Sequence, residues 1–192
     1  MTIDLDNICK SYGDLKVLQD FNLEIEEDHS YVLTGVSGCG KTTLVRILLS
    51  LEEPDSGKVH FMGDYKYPYL NAGVVFQENR LCEAFTPVQN VVMVNRKNSA
   101  KVAREELLRL LPADCLDKPV SQLSGGMKRR VAIVRACCIP SDMLILDEPF
   151  TGLDSENRNK VIEYIRQKQG RNPLLITAHD TDGLEFCRKI EL

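Results

Sequence analysis

Ser30-Tyr31-Val32-Leu33-Thr34 runs straight into Gly35-Val36-Ser37-Gly38-Cys39-Gly40-Lys41-Thr42-Thr43, and this junction decides the reading of the chain. The first five residues are a short apolar strand. The next eight fit the spacing G-x-x-x-x-G-K-[ST], and Thr42–Leu51 continues as a helix with Leu44, Ile47, Leu48 and Leu51 on one face. Glycines at those positions let the backbone turn a run of N–H groups inward onto phosphate oxygens. The helix that follows adds the positive end of its dipole. Lys41 supplies a point charge for terminal phosphates and Thr42 a hydroxyl for a divalent cation. Strand, loop and helix together specify a phosphate cradle of an α/β protein.

Working outward, Ile3, Leu5, Phe21, Leu23 and Ile25 alternate with polar residues and predict half-buried strands, an N-terminal antiparallel β subdomain. Gly57–Met62 and Ala72–Phe76 read as further strands separated by a tyrosine-rich loop at Tyr65–Tyr69. From about Asn79 to Asp117 the pattern turns helical, with Ala103, Leu107, Leu110 and Leu111 on one face and Pro112 as a stop. A helix after Ser124–Gly126 runs to about Cys138. Met143–Leu146 is a fully buried strand by composition, followed by a helix at Glu156–Gln169 ended by Gly170. Pro173–Thr177 is another buried strand, and a last short helix and strand reach Leu192. Strands alternating with helices predict a mainly parallel sheet flanked by helices. We expect one domain over 1–192, with a short inserted α-helical subdomain at about 79–139.

The composition narrows the function. Hydrophobic residues make up 43% and charged residues 27% of 192, and the net charge is −4, which argues against nucleic acid as the main partner. Lys128, Arg129 and Arg130 form a basic run, read as a solvated helix face. Seven cysteines without a C-x-x-C pair, and three histidines without ligand spacing, read as reduced thiols and no zinc site. Asp4 and Asp6 interrupt the first apolar residues, so no signal peptide is expected. No apolar run approaches the roughly 20 residues that span a bilayer.

Asp147 and Glu148 end the apolar run from Met143, at the place where open α/β sheets bind their ligands. In phosphoryl transfer, two acids there serve as a cation ligand and as the group that orients or deprotonates water. Ser121-Gln122-Leu123-Ser124-Gly125-Gly126-Met127 comes before them, directly ahead of a helix. A serine hydroxyl, an approachable glycine N–H and a helix start together suit a phosphate.

This series of motifs resembles the ATP-binding-cassette (ABC) ATPases along essentially the whole chain, a P-loop NTPase fold. The resemblance implies ATP and Mg²⁺ as ligands. It implies that Gly35, Ser37, Gly38, Cys39, Gly40, Lys41, Thr42 and Thr43 hold the phosphates and that Tyr12 stacks on adenine. Thr42, Gln77 and Asp147 would hold the metal, and Glu148, His179, Lys41 and Gln77 would be catalytic. Ser124, Gly125, Gly126 and Asp154 would complete the site of a second subunit in a head-to-tail dimer. The implied partners are a second ABC ATPase subunit and a separate transmembrane permease that holds the chain at the cytoplasmic face of the membrane. The implied function is hydrolysis of ATP to power transport. A cassette used as a nucleotide-gated clamp in a DNA-repair or cell-division complex, and a module that senses ATP without hydrolysing it, are the alternatives. Coiled-coil heptads are missing for the first, and Glu148, Gln77 and His179 oppose the second. The chain departs from the family's pattern in two places. Met127 stands where glutamine is usual, and Glu27-Asp28-His29-Ser30 lacks a glycine, which predicts only a local turn change. The stretch from Gln77 to Ser124 is short, and little follows His179, so a minimal cassette is expected.

Overall fold

The computed structural model describes all residues except 64, 66, 96 and 98. Lys66, inside the expected tyrosine-rich loop, lies outside the described residues. β1 (Thr2–Tyr12) and β2 (Leu15–Ile25) form a hairpin turned at Gly13 (φ 59°), and β4 (Ser56–Met62) pairs on the other side of β1. This three-stranded sheet is antiparallel throughout. The second sheet is parallel, in the order β5 (Ala72–Val75), β6 (Met143–Asp147), β7 (Leu174–Thr177), β3 (Ser30–Thr34) and β8 (Arg188–Glu191).

Alternation along the buried strands sorts the core into two layers. Tyr31, Leu33, Met143, Ile145 and Leu175 point to α1 (Lys41–Leu48) and to Ile3, Leu5 and Ile8 of the antiparallel sheet. Val32, Leu144, Leu146, Leu174 and Ile176 point the other way, onto α4 (Gly125–Cys137) and α5 (Ser155–Gln169). Burying each Val, Leu or Ile contributes about 1.5–3 kcal/mol, so both faces of the parallel sheet must be covered for these strands to be stable. α2 (Pro87–Val92), α3 (Ala100–Leu108) and α4 lie within the segment 79–139, with short 3-10 turns at Ala113–Cys115 and Val120–Gln122 between α3 and α4.

Two expectations need correction. No final helix precedes β8; residues 181–187 form turns around Gly183 (φ 77°). A glycine within seven residues leaves too little chain to offset helix nucleation. Nor do Lys128, Arg129 and Arg130 form a solvated face. Arg129 is 5% exposed, Lys128 pairs with Glu83, and Arg130 donates to the Leu110 carbonyl and the Asn157 side chain. Where the turn before β3 lacks glycine, Asp28 itself takes a left-handed conformation (φ 59°) and its carboxylate pairs with Arg171. Aspartate tolerates that region better than most residues.

Candidate active site

Between β3 and α1 the loop is bent by Gly35 (φ 145°), Gly38 (φ 83°) and Gly40 (φ 111°). A Cβ on Gly35 would come within 2.6 Å of the Cys39 Sγ and 2.8 Å of the Leu192 carbonyl, so the turn needs a bare backbone. Gly40 is the N-cap of α1 and supplies no side-chain bond to its first N–H groups. By contrast Thr86, Ser99, Ser124 and Asp154 cap α2, α3, α4 and α5 with side-chain oxygens. The start of α1 is therefore left with N–H donors for an anion. Lys41 is 6% exposed, and its ammonium donates to the Gly35 carbonyl at 2.8 Å and the Val36 carbonyl at 3.2 Å.

The carboxylates stand beside this loop because β6 runs parallel to β3 with only β7 between them, so both strands end on the same edge of the sheet and Thr42 reaches Asp147. Asp147 is 1% exposed; Thr177 Oγ1 donates to its Oδ1 at 2.6 Å and Thr42 Oγ1 to its Oδ2 at 3.0 Å. Glu148 adopts φ 51°, unusual for a residue with a Cβ, and its N–H is held by the Thr177 hydroxyl at 2.9 Å and the Thr177 carbonyl at 3.2 Å. Its Oε1 lies 3.1 Å from Nε2 of His179. Burial raises the Glu148 carboxyl above its ordinary pKa, with His179 and Lys41 opposing. Gln77, exposed just past the end of β5, opens onto the same cleft, as do Ser37 and Thr43. The cleft measures about 370 Å³, and Tyr12, Leu15 and Val17 of the β1–β2 hairpin make its apolar wall. Tyr12 is 48% exposed, its hydroxyl hydrogen-bonded to Glu52. The Cys39 thiol does not face the cleft but packs 3.8 Å from the Lys41 ammonium.

A second cleft, of about 570 Å³, is lined by a different set of residues, among them Ser124, Gly125, Gly126, Gly152 and Asp154. Ser124 Oγ accepts from the Met127 N–H at 3.3 Å, and the Met127 side chain packs on the main core. A Cβ on Gly126 would come 2.8 Å from the Gly152 carbonyl, so α4 and the loop before α5 touch backbone to backbone. Asp154 caps α5 through the Asn157 N–H at 2.8 Å, which holds its carboxyl below the usual range. The fold thus brings Tyr12, the glycine-rich loop, Gln77, Glu148 and His179 together in one cleft. It sets Ser124–Gly126 and Asp154 in another. Leu15, Val17, Thr177 and Arg129 were missed from the sequence. Only Thr177 carried a signal, as a hydroxyl ending an apolar strand.

The family described as ABC transporter matches residues 18–151. The chain belongs to this family. Among curated relatives, the sulfate/thiosulfate import ATP-binding protein CysA of Pectobacterium atrosepticum is 37% identical over 209 residues, covering 100% of this chain and 63% of the relative. CysA of Pseudomonas aeruginosa is 36% identical, covering 99% and 63%. The chain therefore spans a little under two thirds of the length of these relatives. The ABC cassette MJ0796, solved as a dimer in a post-hydrolysis state bound to ADP and Pi, is similar with a TM-score of 0.85. It is 27% identical, with 99% of this chain and 94% of that one covered. A bacterial Atm1-family ABC exporter with ATP bound shares the fold, with a TM-score of 0.87 at 21% identity over 100% of this chain and 36% of the exporter.

Proposed function

We propose that this ABC ATPase binds ATP with Mg²⁺ in the first cleft and hydrolyses it as half of a head-to-tail dimer, powering transport through a separate membrane-spanning partner. One observation carries this reading: a single chain bears two separate clefts, one with the phosphate loop and Glu148, backed by Asp147 bonded to Thr42, the other with a capped serine–glycine helix start. Each is half of a phosphate site, and a second subunit turned end for end supplies the missing half to both. The dimeric MJ0796 cassette with ADP and Pi supports that arrangement.

The roles follow from position. The free N–H groups of α1 and the Lys41 ammonium hold the β- and γ-phosphates, with Lys41 exchanging its loop carbonyls for phosphate oxygens. Gly35, Ser37, Gly38, Cys39, Gly40 and Thr43 shape this cradle, and the apolar wall around Tyr12 receives the adenine. Thr42, Asp147 and Gln77 offer only hard oxygen donors, a set that suits Mg²⁺, and no cluster of three or more His, Cys, Asp or Glu competes for a metal among the described residues. When bound, that ion neutralises charge on the phosphates. Glu148, kept partly buried beside His179, orients the attacking water and accepts its proton, and His179 hydrogen-bonds the γ-phosphate. Ser124, Gly125, Gly126 and Asp154 close on the partner's nucleotide.

No helix among the described residues is long and apolar enough to cross a membrane, which fits a reading in which a separate partner does the spanning. That partner sets the chain on the cytoplasmic face of the membrane. The names of the CysA relatives, import ATP-binding proteins, favour transport, and import in particular, over the clamp reading. Glu148→Gln tests the proposal: ATP binding persists, hydrolysis falls by at least a hundredfold, and gel filtration with ATP shows a stable dimer. Unchanged turnover in that variant refutes it. Co-purification with a multi-span membrane protein tests the transport role.

A further inference from the structure

Gln77 lies in an exposed stretch just past β5, yet the backbone around it is gripped from one side. The Arg129 guanidinium donates to the Phe76 carbonyl at 2.6 Å and to the Gln77 carbonyl. Six residues further along α4, the Arg135 guanidinium donates to the Arg80 carbonyl at 2.8 Å and the Asn79 carbonyl at 3.1 Å. Four carbonyls of the five residues Phe76–Arg80 are thus held by two side chains of one helix. Arg80 closes the segment on itself, its guanidinium 3.8 Å over the Phe76 ring.

That helix has no slack. A Cβ on Gly73 would lie 2.5 Å from the Ala136 carbonyl, so α4 rests directly on β5, and Val131, Ile133 and Val134 are buried in the core. Its first turn, capped by Ser124, faces the second cleft. Arg129 follows Ser124 by five residues, about 7.5 Å along a helix. A rigid rod with one end in the second cleft carries Arg129, which itself lines that cleft and holds the backbone carbonyl of Gln77, a residue of the first.

We propose that Arg129, seconded by Arg135, is a positioning residue that sets Gln77 for hydrolysis and ties its placement to engagement of the Ser124 end of α4. The inference rests on the two-cleft ATPase reading. A planar guanidinium bridges two carbonyls with N–H bonds in a fixed fork; an ammonium can donate to two carbonyls, as Lys41 does, but without that fixed geometry. Arg129 is also nearly fully buried without a directly bonded carboxylate, a costly placement for a cation unless its hydrogen bonds are used.

The test compares Arg129→Met and Arg129→Lys in the full chain, alone and combined with Gln77→Ala. Arg129→Met is expected to lower kcat about tenfold and leave the equilibrium ATP Kd within twofold, since the phosphate loop is untouched. Arg129→Lys falls between wild type and Arg129→Met. In the Gln77→Ala background the same Arg129→Met change costs less than twofold, because the group it acts through is gone. Hydrogen exchange gives a readout apart from turnover: amides of residues 76–80 exchange faster in Arg129→Met, while those of β6 and β7 stay protected. In wild type, ATP slows exchange in 76–80 when the dimer forms, and Arg129→Met abolishes this slowing. Penalties that multiply in the double variant, or unchanged exchange in 76–80, overturn the inference and leave the ATPase reading standing. A wild-type chain that neither binds nor hydrolyses ATP overturns both.

Discussion

Thr177 is the polar end of an apolar strand, fully buried, and its one hydroxyl serves both acids. It donates to Asp147 Oδ1 at 2.6 Å and accepts from the Glu148 N–H at 2.9 Å. Thr177→Val keeps the shape of the side chain and removes only those bonds. A hydrogen bond to a charged acceptor contributes about 1.5–3 kcal/mol net. The Glu148 N–H retains the Thr177 carbonyl at 3.2 Å, so its loss is smaller, roughly 0.5 kcal/mol. The extra buried methyl returns about 0.8 kcal/mol. The balance is a destabilisation of about 2 kcal/mol, or a Tm lower by roughly 4–8 °C for a domain of this size. Urea and thermal unfolding at neutral pH measure it, with Thr177→Ser as the control. Serine keeps the hydroxyl and loses one methyl, about 1 kcal/mol. If Thr177 acts through its hydroxyl, valine is worse than serine; if it only fills space, the order reverses. A Thr177→Val protein within 0.5 kcal/mol of wild type refutes the reasoning.

Three further outcomes are expected. Lys41→Ala removes the cation at the phosphate loop and should lower kcat/KM by about 3 kcal/mol in transition-state terms, the scale of a lost oxyanion donor, read in a steady-state ATPase assay. Gly126→Ala puts a methyl 2.8 Å from the Gly152 carbonyl; it should cost about 1–3 kcal/mol in urea unfolding and weaken the ATP-dependent dimer by gel filtration. Burial would raise the Glu106 carboxyl, but hydrogen bonds from Lys168 and Tyr164 outweigh it and hold the pKa below its ordinary value. A depressed folded-state pKa gives stability that is present above the unfolded value, near 4.3, and is lost as pH falls through the folded one. Glu106→Gln should therefore flatten the fall in Tm on the acid side of about pH 4.5, and a Tm profile identical to wild type there would count against the Glu106–Lys168–Tyr164 cluster.

How much of this was legible depended on how local the cause was. The phosphate loop is set by glycines within eight residues of one another, and the buried strands by unbroken apolar runs, so both stand in the sequence as they stand in the fold. The approach of Leu110 and Leu111 to the core was also legible from spacing, although α3 itself stops at Leu108. The turns at 181–187 were not. Asp180 Oδ1 accepts from the Asp182 N–H, and Arg158 holds the Asp180 and Asp182 carbonyls from α5, an alternative to helix that no local pattern announces. Arg129 failed for a related reason. Within its helix it is one of three adjacent basic residues, and only the contact at Gly73, 56 positions earlier, brings the carbonyls that bury it.

The difference between the two helix starts bears on why, in the proposed function, neither cleft suffices alone. At Ser124 the side chain satisfies the Met127 N–H, so the start of α4 is stable without a ligand and keeps its hydroxyl at the surface of the second cleft. At Gly40 no side chain caps α1, and the nearest cation, Lys41, is folded onto the carbonyls of its own loop. An uncapped helix start forgoes about 1 kcal/mol that a serine or threonine cap would give, and the buried lysine adds a further desolvation cost. Both are recovered when an anion takes the N–H groups and the ammonium turns to it. On the proposed function, the first cleft is therefore the one organised around binding, the second the one organised to meet a phosphate already held. In the proposed head-to-tail pair, a chain gains from its second cleft only when another chain brings a loaded first cleft to it. On this reading, turnover is a property of the pair.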